Sequence, residues 1–295
     1  MEKITAGKNK IVYKFTGFRD LADHATKVRK TDLASSRKRE GWHKDFYTTN
    51  NFGSATNLMV DGWDGPLQQI DTIRDGVRQR IGTIDTATFR FDHAYTGGYL
   101  DVDSYLAGDP ACMLQAYEDT TKRSQKFVRI LVDTTYSASV QARDIQVRGA
   151  AIVALCDTLN LCGYTTEVWA VSTNGGSWRS SGDKELAVML PVQRVGEPWD
   201  VRSAMYPLAH PSFLRRTVFG VMESMTQSER DAFGVGSGYG TVIQCRKGSL
   251  ADVHCGGADI ICSTHEGEIR DMVKNPVAWV LTQCRNLGVI GVDEQ

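Results

Sequence analysis

The sequence predicts an α/β fold: a doubly wound sheet with helices on both faces, preceded by a smaller mixed α/β region. Three stretches predict it. "FVRILVD" (127–133) is a buried run of strand length, "QARDIQVRGAAIVALCDTLNLCG" (141–163) is of helix length and ends at Gly163, and "TTEVWAVST" (165–173) is a second strand halted by Asn174-Gly175-Gly176. Strands interleaved with helices argue for a parallel-rich sheet covered on both sides.

The elements follow in chain order. Residues 1–122 form the expected N-terminal region, polar and short of long apolar runs, and 123–295 the main domain. "FRDLADHATKVRK" has helical spacing, and "PLQQIDTIRDGVRQRIG" places Leu67, Ile70, Ile73, Val77 and Ile81 at intervals of three and four, one face of an amphipathic helix. "ATFRFDHAYTGGYLDVDSYL" alternates like strands around a Gly-Gly turn. After the central strand–helix–strand unit, "KELAVMLPVQRV" reads as a third strand, and "HPSFLRRTVFGVMESM" as a helix with Pro211 in its first turn. "ADVHCGGADIICST" supplies one or two short buried strands, and "PVAWVLTQCRNLG" a final helix capped by Gly288.

Composition bounds the function. A chain of 295 residues, 41% apolar, has material for a sizeable core. Its net charge of -1 argues against electrostatic binding of nucleic acid or membrane by the chain as a whole. Its seven cysteines are an odd number without a framework, and neither a signal peptide nor a membrane-spanning run is evident. The expected setting is the reducing cytoplasm.

The first strand ends in an unusual way: "FVRILVDTTYSAS" passes from apolar residues to an aspartate and a cluster of hydroxyls. Ligands of doubly wound sheets gather outside the carboxyl ends of the strands. Asp133, Thr135 and Ser137 stand at alternate positions there, so a closing turn brings one carboxylate and two hydroxyls together. Such oxygen donors suit Mg²⁺, or Mn²⁺ in its place. A helix N-cap by Ser137 or Ser139 explains the same residues without a metal.

From Phe127 through the following helix and strand, the chain resembles a von Willebrand factor A (vWA) domain, over about 125–290. That family's metal-ion-dependent adhesion site opens with Asp-x-Ser-x-Ser, matched here by Asp133, Thr135 and Ser137, with Tyr136 where the family has glycine. By order along the chain, the family's later Thr and final Asp fall on Thr173 and Asp259. The resemblance implies a non-enzymatic module that binds a protein partner, whose carboxylate completes the ion's shell, with an AAA+ ATPase as one partner class. "AHPSFLRR" and the overall layout are similar to vWA-like proteins of tailed bacteriophages, which implies host cytoplasm as the setting.

A second function is carried by the N-terminal segment. Residues 1–50 hold 12 Lys/Arg against 6 Asp/Glu, interleaved with Phe15, Phe18, Trp42, Phe46 and Tyr47. Cations for phosphates and aromatic faces for bases are what single-stranded nucleic acid requires, and Arg37, Lys38, Arg39 and Trp42 are the residues expected to bind it. An accessory factor for phage replication or transcription, contacting nucleic acid or a polymerase, is the alternative function. Trp178 and Arg179 are candidates for a partner surface at the sheet edge.

Other motifs argue against enzyme chemistry. His254, Cys255, Cys262 and His265 lack the paired spacing of a zinc knuckle, and the cysteines read as buried strand residues. "GVGSGYG" has no Lys-Ser/Thr after its glycines and no strand before it, so it is a loop rather than a phosphate cradle. No G-x-S-x-G nucleophile elbow is present.

Overall fold

A computed structural model describes residues 1–7, 9–27, 35–38, 44–81, 89–118, 126–176 and 184–290. The strands are β1 (Glu2–Ala6), β2 (Lys10–Lys14), β3 (Phe89–Ala94), β4 (Tyr99–Leu100), β5 (Met113–Glu118), β6 (Phe127–Asp133), β7 (Thr165–Asn174), β8 (Glu185–Gln193) and β9 (Ile260–Cys262). The first helices are α1 (Phe18–Thr26), α2 (Lys44–Tyr47), α3 (Phe52–Asp61), α4 (Leu67–Ile81), α5 (Val102–Leu106) and α6 (Ala142–Leu161). They are followed by α7 (Val201–Ala209), α8 (Phe219–Glu223), α9 (Gln227–Ala232), α10 (Leu250–Cys255), α11 (Glu266–Lys274) and α12 (Pro276–Asn286). A π-helical turn, Phe213–Val218, runs directly into α8.

The main sheet is six-stranded and mixed, in the order β1-β2-β8-β7-β6-β9. β6 pairs in parallel with β7 and with β9, and β2 in parallel with β8, whereas β7–β8 and β1–β2 are antiparallel. The expected parallel unit around β6 is thus present within a sheet of mixed direction. Its first two strands come from the N-terminus, so residues on both sides of position 122 share one sheet and one core.

Period-two alternation sorts the strand side chains onto two faces. Val128, Ile130, Val132, Val168, Ala170, Val188 and Leu190 join the large core beneath the helices. Val12, Leu131, Trp169, Val171, Ala187 and Met189 face the opposite way, covered by α10 and its flanking loops. Cover is therefore unequal among the described residues: the short α10 lies on the second face, while α6 is buried nearly all round between the sheet and α4, α7, α11 and α12. Such a helix is apolar on every side rather than on one stripe. Close approach to α7 requires Gly149, where a Cβ would lie 2.2 Å from that of Ala209.

Several local expectations are corrected by long-range packing. The Gly-Gly turn does not close a hairpin, because β5 lies between β3 and β4, and Gly97 sits against the Leu114 carbonyl. "ADVHC" is the helix α10, capped by Ser249, rather than a strand, and only Ile260–Cys262 is extended. No described helix is long and apolar enough to cross a membrane.

Candidate functional site

Asp133 ends β6 with its side chain fully buried. Its Oδ1 accepts a hydrogen bond from the Thr135 N–H at 2.9 Å; its Oδ2 accepts from the Cys245 N–H at 3.0 Å and the Thr264 hydroxyl at 3.3 Å. Burial raises the carboxyl pKa, opposed by these donors and by the positive charge of Arg148. Arg148 is itself buried on α6, donating to the Tyr136 hydroxyl at 2.6 Å and to the carbonyls of Cys262 and Ser263 at 2.8 and 3.2 Å. Burial works against the Arg148 charge, but Tyr136, Cys262, Asp133 and Glu268 outweigh it and the guanidinium pKa rises. Tyr136, standing where the resembled family has glycine, thus serves as a partner for this arginine.

The expected ion ligands do not converge as a set. Thr135 and Thr173 do meet: the Thr173 N–H donates to Thr135 Oγ1 at 2.7 Å, and the Thr173 hydroxyl donates to the Ile243 carbonyl at 2.5 Å. Ser137 is exposed, 3.0 Å from the Ser139 hydroxyl. Neither serine caps α6, whose N-cap Gln141 makes no side-chain capping bond. Asp259 is at the wrong end of its strand, because β9 runs parallel to β6 and places it opposite Arg129, whose N–H it accepts at 2.8 Å. That is four residues upstream of Asp133, about 13 Å at 3.3 Å per residue. Thr264, just beyond β9, stands where the final acid was expected.

Three hydrogen bonds already occupy Asp133, and a neighbouring guanidinium supplies positive charge. A hard divalent cation needs several available oxygen ligands in one shell, and the donors as arranged do not fit one. Among the described residues, no three His, Cys, Asp or Glu side chains gather as a metal site. Cys255 and Cys262 are buried free thiols, and His265 instead caps α11.

Beside this corner, on the same strand ends, opens a cavity of about 470 Å³. Thr135, Ser137 and Thr173 form its polar floor, while Phe46, Leu214, Phe219, Met222 and Val242 supply apolar wall. Arg215, 2% exposed, also lines it, with its guanidinium 4.2 Å from the Phe46 ring centre. It donates to the carbonyls of Phe46 and Val140 at 2.7 and 3.0 Å and forms no ion pair with a carboxylate among the described residues. Burial lowers its pKa to about 10, opposed by Tyr136 and Tyr47. The adjacent Arg216 turns away to Thr49, Ser36 and Lys38 and so anchors the N-terminal segment. The π-helical turn therefore places one arginine beside the cavity and the other in the core; such turns are frequent at functional sites.

Tyr239 closes the cavity from the "GVGSGYG" loop. It adopts a left-handed backbone with φ 67°, costly for a residue with a side chain, and stacks on Phe219 with ring centres 3.8 Å apart. Its hydroxyl donates to buried Glu223 at 2.5 Å; Glu223 also accepts from the Ser36 N–H and hydroxyl at 3.0 and 2.5 Å. Burial, reinforced by Glu223, raises the tyrosine pKa. The next residue must be glycine, since a Cβ on Gly240 would lie 2.1 Å from the Asn174 amide.

The residues expected to bind nucleic acid fare differently. Arg37 donates to the Ala25 carbonyl at 2.7 Å and sits 3.6 Å over the Phe52 ring, so its charge helps hold α1 to α3. Lys38 is exposed, but its carbonyl is bound by Arg216. Arg39, Trp42, Trp178 and Arg179 lie outside the described residues.

Sequence reading did not single out Arg215 or Tyr239, and considered Phe46 only as a base-stacking candidate. The available signals were two arginines inside the apolar run "SFLRRTVFGVM" and a tyrosine flanked by glycines. A family described as a domain of unknown function (DUF7192) matches residues 2–285. No curated protein and no solved structure matches the chain.

Proposed function

We propose that this chain, which belongs to the DUF7192 family, is a non-enzymatic binding module that receives a side chain of a protein partner in the cavity beyond β6 and β7. The observation carrying this reading is the cavity's placement: about 470 Å³ of mainly apolar space at the C-terminal ends of parallel strands. Binding sites of α/β sheets gather there, and the volume is within the range of ligand pockets. The described residues lining it include no His, Cys, Asp or Glu, so among them there is no nucleophile–base pair and no carboxylate acid or base.

The vWA-like arrangement belongs to this proposal. β6, α6 and β7 supply the parallel strand–helix–strand unit that the resemblance implies, and Asp133 and Thr135 supply its first loop. What changes is the means of recognition, with binding carried by the cavity rather than by a shared Mg²⁺. An AAA+ ATPase is the partner class in keeping with the resemblance.

Fragment screening by ¹H–¹⁵N correlation spectra tests the reading. Hits should shift the amides of Thr135, Thr173 and Val242, and should be lost in Val242→Trp, which fills the cavity mouth in a folded protein. Hits confined to other surfaces would contradict it.

A further inference from the structure

We infer that the cavity selects a carboxylate carried beside an apolar group, that is, an acidic side chain next to an aromatic or aliphatic one on the protein partner, with Arg215 as its charge partner. This inference rests on the binding reading above and adds the chemistry of the occupant.

The argument is one of charge balance. Burying a cation without a counter-ion is costly, and backbone carbonyls compensate it only in part. Arg148 shows what compensation looks like in this fold, because both Asp133 and Glu268 act on its charge. Arg215 has two carbonyls and an aromatic ring, but no carboxylate partner among the described residues. Glu223, beside the cavity-lining Met222, is already engaged by Ser36 and Tyr239. An incoming carboxylate would thus meet a guanidinium whose planar N–H fork matches it. The Thr135 and Thr173 hydroxyls lie beside it, and Phe46, Leu214 and Phe219 would cover an adjoining apolar group. An incoming ammonium would meet the same guanidinium with no anion to offset it.

The test uses the full chain and three probes that share one apolar body: 3-phenylpropionate, 3-phenylpropanol and 3-phenylpropylamine, titrated by NMR. The carboxylate should bind at least about tenfold tighter than the alcohol, the amine more weakly than either, with shifts centred on Thr135, Thr173 and Val242. Raised salt should narrow the acid–alcohol gap, as should Arg215→Met, with thermal unfolding as its fold control. A hexapeptide, Gly-Ser-Glu-Phe-Ser-Gly, should compete with the acid, whereas its Gln counterpart should not. Equal binding of acid and alcohol within the cavity overturns the inference and leaves the binding reading standing. Absence of any strand-end shifts overturns both. Competition by neither peptide overturns the assignment to a partner's side chain in favour of a free small acid.

Discussion

Arg148 and Arg215 are both buried guanidiniums near the strand ends of the main sheet, yet their surroundings differ in one respect. Arg148 lies in the field of Asp133 and Glu268 and donates to the Cys262 and Ser263 carbonyls, so its charge is offset inside the fold, although its buried Nε–H has no hydrogen-bond partner among the described residues. Arg215 lines a cavity and has only neutral partners among the described residues. A buried charge balanced internally is read as structural, and one left unbalanced beside an open space as a binding determinant. The same contrast separates the corner that resembles an ion site from the neighbouring cavity proposed to receive a ligand.

The contrast is most sharply tested by removing each arginine. Arg148→Met removes the cation that acts on buried Asp133 and half-buried Glu268, and should cost on the order of 3–5 kcal/mol in chemical denaturation. Arg215→Met loses two hydrogen bonds but also relieves an uncompensated charge, and should cost only about 1–2 kcal/mol. Equal costs would break the distinction. Asp133 refines it through pH. Its pKa is raised by burial, so the contribution of its protonated form is complete below the ordinary carboxylate pKa and is lost as pH rises through the folded value. The stability of wild type relative to Asp133→Asn should therefore fall from pH 4 to pH 8; a gap that widens in favour of wild type would contradict this sign. The smallest stability effect belongs to Val242→Trp, within about 0.5 kcal/mol because Val242 is 41% exposed, although the cavity is blocked.

Legibility in the sequence followed the range of the interactions. Central elements set by local periodicity were readable: β6, α6, β7, β8, α4 and α12 lie close to where their apolar patterns predict them. Thr173 was placed only by the order along the chain that the resemblance supplied, and it does meet Thr135, because the ends of adjacent parallel strands face one space. Asp259 was misplaced because order along a chain does not tell which end of a strand a residue occupies. β1 and β2 escaped notice because five-residue strands flanked by lysines carry little pattern until they pair with β8. The cavity was beyond local reading altogether, since Phe46, Arg215 and Tyr239 come from segments far apart in sequence. An arginine ordinarily signals surface, and only a folded core distinguishes the Arg215 environment from a solvated one.

The measurement that bears most directly on the central claim is a crystal structure grown with both 3-phenylpropionate and Mg²⁺. The account predicts the acid in the cavity, its carboxylate within hydrogen-bonding distance of the Arg215 guanidinium, and no ion on Asp133. An ion coordinated by Asp133, Thr135 and Ser137 beside a cavity without the acid would contradict it.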